Sequence, residues 1–132
     1  MCLILSVFYG DLLLYFPALL RIAGFTAQGA YNAFLLFVNA ATCVLAYKGF
    51  KKIFRSENAA LLGSALYTLS AYRLTDLYVR SAVGEFCAMI FLPTLLAGVY
   101  GVLFDDVKRP AYQKAWIAPA LAAAGIGYSH VI

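Results

Sequence analysis

Charge is scarce in this sequence: Asp, Glu, Lys and Arg together make up 12% of its 132 residues, against 64% hydrophobic residues. A water-soluble domain normally carries about 25% charged and about 45–50% apolar residues, because its surface must be wetted. So few charged groups cannot cover a water-facing surface, and so apolar a composition also excludes a disordered chain. A basic face for nucleic acid is missing too. The net charge is only +4, and the basic residues sit in short turns between apolar blocks, so no nucleic-acid partner is expected. Cysteine chemistry is equally thin. Cys2, Cys43 and Cys87 lie in apolar runs without CxxC spacing or a neighbouring His. They read as small buried hydrophobes, and neither a disulfide nor a zinc site has support. There is no P-loop, GxGxxG run, HExxH motif or nucleophile elbow. The residues point to no cofactor, and the apolar blocks lack the period-2 alternation of strands.

What is present is a series of long apolar blocks. A membrane-spanning helix needs about 20 mostly apolar residues. The blocks 30–47, 82–104 and 115–132 reach that length, and the shorter block 59–72 reaches it only by including Ile53–Phe54 before it, giving 53–72, or Leu74–Val79 after it. The expected fold is therefore all-α: one integral region over 1–132, a polytopic transmembrane bundle of about four segments. The first block, Met1 to Leu20, is interrupted by Gly10-Asp11 and by Pro17, and reads as an interfacial or re-entrant piece. A signal peptide would carry a basic n-region and an A-x-A cleavage site, and this block has neither. Pro93 should kink its helix, with neighbouring helices supporting the break. Gly98, Gly101, Gly125 and Gly127 should let helices approach closely. The tyrosines at 9, 15, 67, 72, 78 and 100, with Trp116, fall mostly near segment ends, as an aromatic belt would.

The positive-inside rule orients these segments. Lys48, Lys51, Lys52 and Arg55 fill one turn, and Lys108, Arg109 and Lys114 another, with two expected crossings between them. Both turns must then share a side, and the rule makes it cytoplasmic. Seven cations and the anions Glu57, Asp105 and Asp106 give that side +4. Arg21, Arg73 and Arg80 cancel against Asp11, Asp76 and Glu85 on the other. The expected location is a bacterial cell membrane, with Arg73–Glu85 extracytoplasmic.

That stretch is the only dense polar constellation. Arg73, Asp76 and Arg80 stand at i, i+3 and i+7, which on an α-helix is one face, so Asp76 could pair with both arginines while Leu74, Leu77 and Tyr78 face away. Ser81 would cap the next helix and Glu85 would sit near its positive N-terminal end. Ionisable groups at membrane depth are costly unless paired or wetted, which makes them candidates for function. Two arginines suit a bidentate grip on phosphate or carboxylate. The alternative is an interfacial loop whose arginines pair with Asp76, Glu85 and lipid headgroups. Asp11 could be a catalytic acid or metal ligand, or simply a solvated turn residue. His130 falls near the same outer end and could support the arginines.

The runs Leu66 to Leu74, Asp76 to Arg80, Gly84-Glu85-Phe86 and Phe91-Leu92-Pro93 resemble a bacterial multi-pass family. It is labelled 6-pyruvoyl-tetrahydropterin-synthase-related membrane proteins, and is similar to the YfhO-like proteins. Tyr9-Gly10-Asp11, Tyr15-Phe16-Pro17 and Ser129-His130 look like the same family. The resemblance implies a GT-C-type membrane glycosyltransferase that takes sugars from polyprenyl-phosphate donors at the extracytoplasmic side. Arg73 or Arg80 would then meet the donor phosphate, and a carboxylate in the first outer loop would act in catalysis. A divalent metal is possible in the full-length protein. Family members are several times longer, so the chain is expected to be a fragment, inactive alone. A lipid or polymer exporter is the rival class, since a broken segment near 59–72 would suit one. A truncated membrane segment without activity is the third reading.

Overall fold

The computed structural model describes residues 11–105 and 110–129, and among them every regular element is helical, with no strand. After a 3-10 turn at Asp11–Leu14 come α1 (Tyr15–Ile22), α2 (Ala27–Phe54), α3 (Glu57–Thr68) and α4 (Ala71–Thr75). A π-helical turn at Asp76–Arg80 then leads into α5 (Val83–Ala88) and α6 (Leu92–Phe104). A second 3-10 turn at Pro110–Lys114 precedes α7 (Ile117–Ser129).

α2 organises the rest. It starts where the Thr26 hydroxyl accepts the Gly29 N–H at 3.1 Å, satisfying one of the free amides of a first helical turn. Its buried residues, Ala30, Phe34, Val38, Thr42, Ala46 and Gly49, recur every three or four positions and so form one face. It stops at Arg55, which takes the left-handed conformation with φ 53°. The helix is longer than the expected 30–47 segment because Lys48, Lys51 and Lys52 are good helix formers.

The two-residue link Arg55–Ser56 folds α3 back along α2. Phe50 meets the Tyr67 ring edge-on at 6.1 Å, and the missing side chain of Gly63 makes room for Phe50. The expected 53–72 segment is not one continuous helix. α3 has 12 residues, about 18 Å of rise, and the backbone breaks after Thr68 before α4 begins. α7 likewise covers only 117–129 of the expected 115–132 segment, and residues 130–132 lie outside the described part. Among the described residues, two segments are long and apolar enough to cross a membrane: Ala27–Phe54, and Val83–Phe104 counted through its turn at 89–91.

That turn explains Pro93. The proline sits at the start of α6 rather than inside a continuous helix, a position where its missing N–H is no loss. The carbonyl it cannot bond, that of Met89, accepts the Tyr67 hydroxyl at 2.7 Å instead. A neighbouring helix thus completes the break.

The core joins Phe34 and Val38 of α2, Leu77 of the π turn, Phe86 and Cys87 of α5, and Ile90. Three of the four glycines expected to allow close packing do so. A Cβ on Gly98 would lie 2.5 Å from Pro119, one on Gly101 would strike the Lys52 ammonium, and one on Gly125 would lie 2.9 Å from the Phe91 ring. Gly127 has nothing within 4 Å. The outer surface is apolar: Leu36, Leu61, Leu66, Val79, Leu103 and Leu121 are all exposed. At one end of the molecule, Lys51 pairs with Glu57, and Lys52 with Asp105 at 3.4 Å. Those pairs gather the ends of α2 and α6 beside the start of α3.

Candidate functional site

The polar cluster is assembled by irregular backbone between α3 and α5. The π turn at 76–80 is closed by the Ala82 N–H reaching the Asp76 carbonyl at 3.0 Å, with Ser81 at φ 51°. Ser81 is therefore the left-handed hinge after the turn, and Ala82 occupies the capping position expected of it. Two contacts depart from the helical-spacing expectation, and neither needs the π turn: at about 100° per residue Leu77 falls about 40° from Arg73 on the packed side, and the Arg73–Asp76 step precedes the turn. Leu77 packs into the core with Asp76 instead of facing away. Asp76 pairs with Arg80 alone, and no ion pair joins it to Arg73 among the described residues.

Arg73 goes inward instead. The residue is 1% exposed, and its guanidinium reaches α2. Nη1 donates to Asn39 Oδ1 at 2.7 Å and to the Thr68 carbonyl at 3.4 Å. Nη2 donates to Thr42 Oγ1 at 2.6 Å, and the Thr42 hydroxyl in turn donates to the Val38 carbonyl at 2.7 Å. Asn39 and Thr42 lie midway along α2, about 20 Å from either end. Neither had been singled out as a partner. A signal existed: Thr42 interrupts an otherwise apolar stripe, and a polar residue on the packed face of an apolar helix needs a partner.

Arg80 is the outward member. Its side chain is 51% exposed. Nη1 donates to Asp76 Oδ1 at 2.8 Å and to Glu85 Oε2 at 3.0 Å. The Tyr72 hydroxyl donates to the same Glu85 oxygen at 3.4 Å. The Glu85 charge, then the Tyr72 hydroxyl and the Asp76 charge, push the Arg80 guanidinium above its ordinary range. The Nε–Nη2 edge of this guanidinium is the one that can grip an anion with two parallel bonds. Asp76 is fully buried, and its second oxygen, like Nε of Arg73 and Oγ1 of Thr68, has no hydrogen-bond partner among the described residues.

Of the sequence-derived candidates, the structure brings Asp76, Arg80 and Glu85 together and sets Arg73 apart, its guanidinium bonded to Asn39 and Thr42 of α2. The side chain of Asp11 and the whole of His130 lie outside the described residues, as do Lys108 and Arg109. α7 packs against both α5 and the first 3-10 turn. No group of three or more His, Cys, Asp or Glu residues able to hold a metal occurs among the described residues. Comparison with protein-family models, with curated proteins and with solved structures finds no match for this chain.

Proposed function

We propose that this chain is a membrane-embedded part of a GT-C-like glycosyltransferase using polyprenyl-phosphate-linked sugars, with Arg80 as the cation that meets the donor phosphate. The observation that carries the residue assignment is the half-exposed Arg80 guanidinium, whose Nη1 is backed by buried Asp76. The family resemblance of Tyr72 to Pro93 supplies the class. Two long apolar segments and an apolar outer surface support the bilayer as solvent. In this reading the chain is multi-pass, α3 with α4 and α7 completing the bundle. The Lys48–Arg55 end is cytoplasmic and the Arg80 end extracytoplasmic. Arg73 acts indirectly, by pinning the charged segment to α2.

The test is lipid binding by the full chain in nanodiscs, with undecaprenyl phosphate as probe and native mass spectrometry as readout. Arg80→Ala should weaken binding at least tenfold. Arg80→Lys should retain part of it, because an ammonium offers charge without the planar fork. Undiminished binding by Arg80→Ala overturns the assignment. Glycan transfer is then measured with the same substitution in a longer homologue. A second reading, a lipid or polymer exporter, is favoured by the interrupted backbone at 69–70, 81–82 and 89–91, since broken helices line transporter sites. Movement of the probe lipid across proteoliposome leaflets, without sugar transfer, would favour it.

A further inference from the structure

We infer that Glu85 occupies the place of a ligand phosphate, accepting from Arg80 and Tyr72 until an anionic headgroup displaces it. This rests on the phosphate-binding reading of Arg80 and adds Tyr72 and Glu85 to that site. The two carboxylates on Arg80 differ in kind. Asp76 is fully buried and lies four residues before Arg80 on the same turn, so it is a fixed anchor. The Glu85 side chain is 27% exposed and belongs to α5, beyond the Ser81–Ala82 link. It can swing away without disturbing the core.

Charge requires that it do so. One guanidinium between two carboxylates sums to a local −1, and no ion pair brings Arg73 to either carboxylate among the described residues. A phosphate approaching this group is repelled while Glu85 stays. Once Glu85 leaves, Arg80 and Asp76 balance, and the incoming anion meets a Tyr72 hydroxyl and one N–H of Arg80 Nη1 freed from Glu85, while Nη1 stays bonded to Asp76. Glu85 Oε2 collects both of those donors at 3.0 and 3.4 Å. A phosphate oxygen placed there would accept both, while a second oxygen reaches the outer edge of Arg80. Tyr72 is 60% exposed, so the position opens to the surface.

The experiment uses the full chain in nanodiscs, with two readouts. One is affinity for undecaprenyl phosphate, with inorganic phosphate as a headgroup-only probe. The other is the rate at which phenylglyoxal modifies Arg80 without any lipid phosphate, mapped by peptide mass spectrometry. Glu85→Gln should tighten undecaprenyl phosphate binding by about two- to fivefold, the range for releasing a partly exposed ion pair, and should speed Arg80 modification. Tyr72→Phe should weaken binding several-fold, with the larger loss in the Glu85→Gln background. Glu85→Ala, which removes any residual hydrogen bond, should match Glu85→Gln. Binding of inorganic phosphate alone would make the site one for free anion, and binding of the lipid alone one for a headgroup in the bilayer; either supports displacement if Glu85→Gln tightens it. If wild type binds and Glu85→Gln changes neither affinity nor modification rate, the displacement idea is overturned. If neither form binds lipid phosphate yet Arg80 modification accelerates, the lipid-phosphate reading fails while Glu85 remains a mobile cover on Arg80.

Discussion

A guanidinium at 1% exposure must find acceptors inside the protein, because the desolvation of a buried charge is otherwise uncompensated. Arg73 finds neutral ones: an amide oxygen, a hydroxyl and a backbone carbonyl. Hydrogen bonds to a charged group contribute about 1.5–3 kcal/mol each. Removing an acceptor is therefore expected to hurt more than removing the whole arrangement. Asn39→Leu should lower stability by about 2–3 kcal/mol, since it strands the buried charge. Arg73→Met combined with Asn39→Leu should cost less than the sum of the two single changes, because an apolar pair replaces a polar one. Thermal unfolding in detergent of the two singles and the double measures this, and strict additivity would refute direct coupling.

At the scale of elements, close approach decides which glycines matter. Gly49 on α2 faces the start of α6 so tightly that a Cβ would lie 2.6 Å from the Pro93 carbonyl oxygen. Backbone cannot move aside as a flexible side chain can. Gly49→Ala should destabilise by about 1–3 kcal/mol, the usual range for overpacking. Gly127 on α7 has open space around it. Gly127→Ala should be neutral or stabilising by up to about 1 kcal/mol, since alanine is the better helix former. The same melting experiment measures both, and equal effects would contradict the packing described.

At the scale of the molecule, two ends differ in charge. Lys51 and Lys52 are tied to Glu57 and Asp105 at one end, where exposed Lys48 and Arg55 also lie. Asp76, Arg80 and Glu85 form the other cluster. In the proposed orientation the basic end is cytoplasmic. Lys51→Cys and Thr75→Cys, both exposed positions, test this in a background free of other cysteines. An impermeant thiol reagent on intact cells should label position 75 and spare 51. Labelling of 51 alone would invert the orientation and move the Arg80 cluster to the cytoplasm.

Composition and periodicity determined the helical class, the long apolar segments and the location of the charged stretch. These are local properties: too few charges to wet a surface, apolar runs of sufficient length, and polar residues crowded into the thirteen positions 73–85. The partners within that stretch were only partly legible. A regular 3.6-residue period placed Arg73, Asp76 and Arg80 on one face, and Asp76 does meet Arg80, but the Arg73 guanidinium turns to α2 instead of to Asp76. The acceptors of Arg73 lie 34 and 31 residues earlier on α2, so only the α2–α3 hairpin brings them within reach. Tertiary packing decided that one arginine serves as an internal clamp and the other faces outward, because burial depends on what surrounds a residue and spacing along the chain does not record it.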